Sequence, residues 1–321
     1  MKMAKYILKR ILLMFFVLFV ITTICFILVR LLPRELPLDT VKRAQMEARF
    51  EALGYNEPLL TQYWIYLKGI FTEGDFGTSW YIQYNKPALD LMTSRLLPTV
   101  LVNVYSLIFS VPLGLLLGIY AAIKKNKWQD NVISTLVIVF VSVPSYVYAF
   151  LVQYLFYFKL GWLPLHMYAL NDAGGTYFSA KMFSSMILPI LAMSFGEIAG
   201  LCRFTRAELT ETLTSDYMLL ARTKGLTKSQ ATSRHAMKNA MVPILPMIIS
   251  SFFSILGGSM IIEQIFSIPG VGLLYLRAIQ QHDYDVFMLD SIFYTAIGLV
   301  AGIICDLSYG FIDPRIRMGE K

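Results

Sequence analysis

Six apolar stretches, each long enough to cross a lipid bilayer, constrain the fold of this chain most strongly. They lie at about 11–32, 97–123, 131–158, 183–204, 242–266 and 288–311. A helix needs about 20 apolar residues to cross the hydrocarbon core, and inside lipid a helix satisfies its own backbone hydrogen bonds. The sequence therefore predicts an all-α integral membrane protein with six transmembrane helices.

Composition supports this fold class and excludes several functions. Of the 321 residues, 56% are hydrophobic and only 15% are charged, whereas a soluble domain carries about 25% charged residues. The net charge of +7 fits the excess of Lys and Arg in cytoplasmic loops, so no nucleic-acid partner is expected. The three cysteines form no CxxC pair, so neither a disulfide framework nor a metal site is expected.

Lys and Arg in the short loops predict the orientation of the chain. They collect in the first ten residues, the loop 124–127, the segment 203–243 and the C-terminal tail. Because cytoplasmic loops are rich in positive residues, both termini and segment 203–243 are expected in the cytoplasm. The chain then divides into a cytoplasmic tail with the first transmembrane helix (1–32), an extracytoplasmic segment (33–96), a five-helix transmembrane core (97–311) that includes the loop 203–243, and a cytoplasmic tail (312–321).

The N-terminal apolar run is predicted to be an uncleaved first helix, because it runs from Ile11 to about Leu32 without an Ala-x-Ala site. A secretory signal has a shorter apolar region, of about 7–15 residues. Within the extracytoplasmic segment, the stretch NEPLLTQYWIYLKGIF is rich in aromatic residues. Since Trp and Tyr favour the membrane interface, this stretch is a candidate for the outer membrane face.

Small residues and prolines inside the spans predict how the helices pack. Three glycine pairs have GxxxG spacing, which lets helix backbones approach closely: Gly114–Gly118, Gly196–Gly200 and Gly298–Gly302. Three prolines fall within spans and are expected to bend helices or free backbone carbonyls: Pro112, Pro144 and Pro189.

The basic segment 203–243 is predicted to contain a short amphipathic helix. One face of that helix is predicted by the i, i+3, i+4, i+7 spacing of Tyr217, Leu220, Ala221 and Lys224. Asp216 suits the positive N-terminal end, and Gly225 suits a left-handed C-terminal cap. A second helix is expected from Thr227, because Thr227 and Gln230 have capping-box spacing. The helix fits either a lipid surface or a soluble protein partner. A partner is favoured because the apolar face is short and a basic helix follows.

No catalytic motif is present in the sequence. The chain contains no Gly-Lys dipeptide and therefore no Walker A loop, and it has neither GxSxG nor HExxH. The histidines His166, His235 and His282 are scattered and are interpreted as solvated or interfacial residues. The chain is therefore not expected to be an enzyme or to bind a cofactor of its own.

Two carboxylates, Glu197 and Glu263, fall in or near apolar spans. An ionisable group inside a membrane indicates function by default, because its burial is costly. Both residues are therefore candidates for a translocation pathway. For Glu197, a structural pairing with Arg203 or with another subunit is an equal alternative. For Glu263, a structural bond to backbone amides near Pro269 is the favoured interpretation.

Several motifs resemble one family of membrane proteins. DYMLLARTKGL with RHAMKNAMVP is similar to the cytoplasmic "EAA" loop of ABC-importer permeases in the oligopeptide/dipeptide branch. GGSMIIEQIFSIPGVGLLYLRAIQQHDYDV, LGYNEPLLTQYWIYLKGIFTEGDFGTSW and the final DPRIR resemble the same branch, and the long segment after the first span resembles its "B" permease.

The resemblance implies a type I ABC-importer permease fold in the cell membrane of a prokaryote. It implies that the Asp216–Lys224 helix is a coupling helix, with Gly225 permitting a sharp exit. The expected partners are two ATP-binding subunits that hold ATP and Mg²⁺, a second homologous permease, an extracytoplasmic peptide-binding protein and membrane lipid. That binding protein is expected to deliver peptide to the segment 33–96 and the loop 267–287.

This sequence also departs from the family pattern. Leu219 stands where the general pattern has Glu, and the usual downstream Leu-Pro is displaced to Pro243. Residues 33–37 read PRELP instead of Pro-Gly-Asp-Pro, and Asp283-Tyr284-Asp285 replaces Asp-Tyr-Pro. These changes leave the substrate open: oligopeptides are favoured, then dipeptides, with glutathione and nickel chelates as further candidates.

Six apolar spans also fit two other classes of membrane protein. An ion-coupled secondary transporter would use Glu197 as a proton carrier, but the sequence shows no clear inverted repeat and the coupling loop would have no role. A membrane enzyme is disfavoured because no catalytic constellation is visible.

Overall fold

The computed structural model describes residues 2–32, 39–52, 54–254 and 259–312. The PRELP departure and the DPRIR tail lie outside these residues, as does the C-terminal tail beyond 312. The α-helices are α1 (Lys2–Leu31), α2 (Thr40–Ala52), α3 (Leu59–Lys68), α4 (Ala88–Ile123), α5 (Trp128–Ser142), α6 (Ser145–Val152), α7 (Ala180–Leu213), α8 (Asp216–Thr223), α9 (Lys228–Ala231), α10 (Met237–Ser254), α11 (Met260–Ile265), α12 (Val271–Gln280) and α13 (Tyr284–Ile312).

Three of these helices continue in the wider π conformation, and one short β-ladder is present. The π-helical turns are Gly69–Glu73 after α3, Gln153–Lys159 after α6, and Thr232–Ala236 between α9 and α10. A 3₁₀ turn covers Asn171–Ala173. The strands β1 (Thr78–Ser79) and β2 (Lys86–Pro87) pair antiparallel, with Thr78 opposite Pro87.

The all-α membrane fold is confirmed. Within the described residues, five helical segments are long and apolar enough to cross a membrane, and a sixth crossing exists if one bent pair forms a single span. The five are Tyr6–Leu31, Ala88–Ile123, Ala180–Leu213, Lys228–Phe253 and Tyr284–Ser308. The bent pair is Trp128–Ser142 with Ser145–Lys159, which meet at 101°.

The bend between α5 and α6 has its cause at Pro144, as the sequence predicts. Proline lacks an N–H and restricts the preceding residue to extended geometry, and Val143 is indeed extended (φ −94°, ψ 125°). The Tyr148 hydroxyl donates to the Phe140 carbonyl at 3.0 Å, which satisfies one acceptor at the end of α5. Pro112 and Pro189 instead lie inside the continuous helices α4 and α7.

Three predicted boundaries differ from those observed. The helix predicted from 97 begins at Ala88, because Ala88, Leu91 and Met92 already pack in a core. The helix predicted to end near 204 continues to Leu213, so much of the predicted 203–243 loop is helical. The span predicted at 242–266 comprises two helices, since α10 ends at Ser254 and α11 begins at Met260.

The chain folds into two compact units. The first comprises the described residues of 1–97 together with 269–300, and the second comprises the described residues of 98–268 and 301–312. The linear division into external segment and transmembrane core is a statement about membrane topology, and it stays a prediction. Packing groups residues differently, because helices distant in sequence bury side chains together.

In the first unit, apolar side chains from both ends of the chain form two clusters. One cluster joins the beginning of α4 to α12 and α13 through Leu91, Leu274 and Val286. The other joins α1 to α13 through Phe26, Val29 and Met288, with Tyr63 and Tyr66 packed against it. Through Tyr63 and Tyr66, the segment after α1 therefore packs against α1 and α13.

In the second unit, α7 is the central helix and packs against α5, α6 and α10. The Phe195 ring stacks on Phe140 at 5.4 Å and contacts Tyr148 at 5.2 Å. The glycine pair Gly114–Gly118 of α4 also faces α7, and a Cβ at Gly118 would lie 2.7 Å from the Cys202 carbonyl oxygen. This pair therefore allows the close helix approach that its spacing predicts.

The other two glycine pairs do not make such contacts within the chain. For Gly196, Gly200, Gly298 and Gly302, a Cβ would meet nothing within 4 Å among the described residues. The close helix packing predicted from their spacing is therefore not found at these positions. GxxxG spacing records only that small residues share a helix face, and here no neighbouring helix of the described chain approaches that face.

Candidate functional site

The short helix α8 is held between turns that the sequence predicts. Asp216 lies in its first turn, and Gly225 follows it with φ +91°. A left-handed backbone of this kind strains most residues with a Cβ, and asparagine less than the others. The predicted capping box is confirmed: the Thr227 hydroxyl accepts from the Gln230 amide at 3.3 Å, and the Gln230 side chain accepts from the Thr227 amide at 3.0 Å.

One face of α8 belongs to the core of its own chain. Met218 and Ala221 are buried in an apolar cluster. The other buried members come from α4, α7, α9 and the helix that follows it: Ala122, Leu209, Ala231, Ala236 and Ala240. Because the cluster contains mostly alanines, the helices approach closely, and a shift of α8 would displace its neighbours.

The opposite face of α8 is apolar and exposed. Leu219 is 67% exposed and Leu220 is 55% exposed, with Tyr217 beside them. Fully burying one leucine contributes about 1.5–3 kcal/mol, so these side chains can supply substantial binding energy to a second surface. The exposed side chains of Arg222 and Lys224 at the C-terminal end add positive charge.

The structure corrects the predicted face in one respect. Tyr217, Leu220 and Lys224 share the exposed side as predicted, but Ala221 is buried with Met218. Ala221 lies at the edge of the predicted face, and its small side chain fits against the alanine-rich cluster. Met218 is the inward anchor of α8 and was not predicted, although its i, i+3 spacing with Ala221 was a signal.

Asp130 and Arg206 form an ion pair beside this region that the sequence analysis also missed. The Arg206 guanidinium donates to both carboxylate oxygens, with Nη2 to Oδ2 at 2.8 Å and Nε to Oδ1. The Asn126 amide donates to Oδ2 at 2.9 Å, and the Ser134 hydroxyl donates to Oδ1 at 3.3 Å. Asp130 thereby joins the beginning of α5 to α7. Its partner Arg206 lies ten residues before the start of α8.

Glu197 lies in the middle of α7 and is half-buried. Its carboxylate accepts a hydrogen bond from the Ser251 hydroxyl of α10 at 2.6 Å. The hydrogen-bond partner of Glu197 is therefore a serine of the same chain rather than Arg203. Gly196, next to it, is exposed, so the described residues leave this part of α7 uncovered.

Glu263 lies in α11 and is buried. Its carboxylate accepts from the Thr99 hydroxyl of α4 at 2.8 Å, and its backbone carbonyl accepts from the Ile268 amide at 2.8 Å. The side chain of Glu263 thus ties α11 to α4 through Thr99. The side-chain bond to backbone amides near Pro269, which the sequence favours, stays a prediction. A role for Glu263 in a translocation pathway stays a prediction.

In the first unit, two carboxylates organise the chain around β1. Asp283 accepts from the Ser79 hydroxyl at 2.6 Å and from the amides of Tyr81 and Ile82, each at 3.1 Å. Asp285 accepts from the Thr78 amide at 3.0 Å. These are two of the residues in the predicted departure Asp283-Tyr284-Asp285, so that departure is part of the packing.

A second polar contact in the first unit joins α2 to the turn before β1. Arg49 Nη2 donates to Asp75 Oδ2 at 2.5 Å, and Asp75 Oδ1 accepts from the Gly77 amide at 2.8 Å. Partial burial would raise the pKa of Asp75, but these two hydrogen bonds and the Arg49 charge hold the pKa below its ordinary value. At neutral pH the pair is therefore ionised.

The last helix contains a further carboxylate that the sequence analysis did not name. Asp290 is fully buried in α13, and its position inside an apolar run was a sufficient signal. Within residues 2–32, 39–52, 54–254 and 259–312, no group of three His, Cys, Asp or Glu side chains is arranged to hold a metal ion.

Comparison with known proteins identifies the family of this chain. Residues 114–318 match the binding-protein-dependent transport system inner membrane component, and residues 3–100 match the N-terminal part of such a membrane component. The dipeptide transport system permease protein DppB of Lactococcus lactis subsp. cremoris is 36% identical over 318 residues, which cover 98% of this chain and 100% of that protein.

Two glutathione transport system permease proteins, both named GsiC, are also similar. The protein of Salmonella choleraesuis is 31% identical and that of Escherichia coli K12 is 30% identical, each over 320 residues. Both alignments cover 98% of this chain and 99% of the relative. The chain therefore belongs to the family of binding-protein-dependent transport system inner membrane components, as a multi-pass permease subunit of an ATP-driven importer.

Proposed function

We propose that this permease imports short peptides and forms half of a translocation pore, with a second homologous permease forming the other half. The similarity to a dipeptide permease and to two glutathione permeases supports a small peptidic substrate. An extracytoplasmic peptide-binding protein delivers the substrate to the segment 33–96 and the loop 267–287. Glu197 lines the pathway from a part of α7 that the chain leaves partly open.

We further propose that α8 is the coupling helix. The observation that carries this proposal is the division of α8 into a face buried in its own chain and an exposed apolar face. The exposed Leu219 and Leu220 dock in a groove of an ATP-binding subunit. Two such subunits hold ATP and Mg²⁺, one for each permease, and this chain contributes no catalytic group.

The mechanism follows from the cluster behind α8. When the ATP-binding subunits close, they move α8, and Met218 transmits that movement to α4, α7 and α10. Close-packed interiors shift between discrete arrangements instead of deforming continuously, so the movement switches the pore between inward-facing and outward-facing states. ATP binding and hydrolysis in the partner are thereby linked to access on the two sides of the membrane.

The substitution Gly225→Trp tests this role. A side chain at Gly225 would meet nothing within 4 Å in the described chain, so the indole would project towards the docked partner. We expect the variant to insert and to assemble, while ATP hydrolysis no longer drives uptake. The measurement is labelled-dipeptide uptake per ATP hydrolysed in vesicles containing the complete transporter and its binding protein.

Gly225→Asn is the matched control, because asparagine tolerates a left-handed backbone and is small. It is expected to keep most of the uptake. Normal coupled uptake by Gly225→Trp would contradict the assignment of α8. Uptake driven by a proton gradient alone, without ATP or the binding protein, would instead support an ion-coupled secondary transporter.

A further inference from the structure

The helix α3 and its π-helical extension have an apolar face that the described chain does not cover. Leu60 is 83% exposed, Trp64 is 67% exposed and Phe71 is 83% exposed. The first two are separated by four residues and the last two by seven, which places all three on one side of a helix. An exposed aromatic and aliphatic face of this kind indicates a contact with another surface.

The adjacent side of the same helix is polar. Thr61, Lys68 and Thr72 are exposed, and their spacing of seven and four residues places them together, about 100° around the helix from Leu60. An apolar stripe beside a polar stripe is the pattern of a helix that lies in a membrane interface. Tryptophan is enriched at that level of the bilayer, because its ring is apolar and its N–H is polar.

The remaining side of α3 is attached to the membrane span α1. The Phe26 ring lies 5.0 Å from the Tyr63 ring and 5.2 Å from the Tyr66 ring. The hydroxyls of Thr23 and Tyr63 share a hydrogen bond of 2.6 Å. Tyr63 also approaches Phe19, with ring centroids 6.1 Å apart. The helix α3 is therefore fixed to the last four turns of α1.

The length of α1 gives the depth of this attachment. The span Tyr6–Leu31 has 26 residues and is about 39 Å long at 1.5 Å per residue. The hydrocarbon core is about 30 Å thick, so roughly 9 Å of α1 projects beyond it. Thr23 lies about 12 Å before Leu31 along the helix axis. If the whole projection lies at the C-terminal end of α1, the contact between Thr23 and Tyr63 is about 3 Å inside the edge of the hydrocarbon core; if none of it does, the contact is about 12 Å inside that edge. This range includes the depth of about 5–10 Å typical of interfacial helices.

We propose that α3 and its π-helical turn form a membrane-surface anchor, with Leu60, Trp64 and Phe71 inserted among phospholipids. The leaflet is the one at the C-terminal end of α1, which is the outer leaflet in the predicted orientation. Lipid is the occupant because the apolar face is continuous with the surface of a membrane span: Phe19, which contacts Tyr63, is itself 52% exposed. The anchor holds the extracytoplasmic segment on the bilayer independently of the proposed substrate.

Tryptophan fluorescence tests the proposal in the complete transporter. Replacing Trp80, Trp128 and Trp162 with Phe leaves Trp64 as the sole tryptophan of this chain; tryptophans of the partner subunits are replaced in the same way. We expect Trp64 to lose emission in vesicles of phosphatidylcholine brominated on the acyl chains, relative to unbrominated vesicles. We also expect aqueous iodide to quench it little.

A pair of spin labels provides a second measurement that keeps the native tryptophans. The three cysteines are replaced by serine, and Leu60→Cys or Thr61→Cys is labelled in otherwise identical complexes. The label at position 60 is expected to collide mainly with oxygen, which is concentrated in lipid. The label at position 61 is expected to collide more with a water-soluble nickel complex.

Three results would overturn the proposal. Strong quenching of Trp64 by iodide would place this face in water. Protection of Trp64 from both brominated lipid and iodide would mean that a protein partner covers it. Equal collision profiles for the labels at positions 60 and 61 would show that α3 has no lipid-facing side.

Discussion

Removal of the Asp130 carboxylate is expected to open the contact between α5 and α7. Asp130 is 1% exposed and accepts from Arg206, from the Asn126 amide and from the Ser134 hydroxyl. Breaking a buried ion pair by removing one partner costs about 3–5 kcal/mol. The Arg206 side chain is 31% exposed, so water can hydrate the orphaned guanidinium, and we reduce the expected cost of Asp130→Ala to about 2 kcal/mol.

The buried thiol of Cys202 reports this opening. Cys202 lies one turn before Arg206 in α7 and packs with Val137 of α5. In a chain carrying Cys25→Ser and Cys305→Ser, its alkylation by a membrane-permeant maleimide follows local opening. A cost of about 2 kcal/mol corresponds to a roughly 30-fold faster reaction, at about 1.4 kcal/mol per tenfold.

The matched control is Asp90→Ala, which removes an exposed acid from the first turn of α4 and is expected to leave the rate unchanged. An acceleration below about threefold in Asp130→Ala, worth less than about 0.7 kcal/mol, would refute the assignment of Asp130 as a clamp between the two helices.

Three further predictions concern packing and pH. Gly118→Ala is expected to destabilise the protein by about 1–3 kcal/mol, because the added methyl group would lie 2.7 Å from a backbone oxygen of α7. Gly302→Ala is the control in thermal unfolding measurements, because its surroundings among the described residues are open, and an equal loss of stability in both variants would contradict the prediction. Asp283→Asn is expected to speed proteolysis at residues 79–82. The native carboxylate only accepts hydrogen bonds, whereas the side-chain amide of the introduced asparagine would turn N–H donors towards backbone N–H groups. An unchanged digestion pattern would count against this. The contact with Arg49 lowers the pKa of Asp75, so the ion pair stabilises the fold above the ordinary value of 3.8, and this contribution is lost as the pH falls through the lower folded pKa. Asp75→Asn removes the titrating group, so its rate of proteolysis is expected to rise less than that of the unaltered protein as the pH falls below about 3.8; an unchanged acid profile in the variant would refute this.

Features that depend on local sequence were predicted well. The apolar spans follow from the thickness of the bilayer, and the turn at Gly225 and the cap at Thr227 follow from backbone geometry that few residues satisfy. The bend at Pro144 was predicted because proline removes a donor wherever it occurs. Its angle of 101° was not predicted, because that angle depends on which aromatic rings pack against the break.

Features that depend on tertiary contacts were not predicted. Asp130 and Arg206 are separated by 76 residues, and nothing in a single sequence indicates which acid meets which base. Ala221 was placed on one helix face with Tyr217, Leu220 and Lys224, because periodicity defines a stripe but not the edge at which burial begins. The three GxxxG pairs were equivalent as sequences, whereas only Gly114–Gly118 faces another helix of the described chain at close range.

The hydrogen bonds of Asp283 have a consequence for biosynthesis. The residue that orders the backbone around Ser79 is made 204 positions later. At a synthesis rate of about 5–20 residues per second, Ser79 waits roughly 10–40 s for its partner. During that interval the amides of Tyr81 and Ile82 lack the carboxylate that accepts from them in the folded chain. The turn after β1 can therefore reach its final form only once the residue just before the last helix has been synthesised.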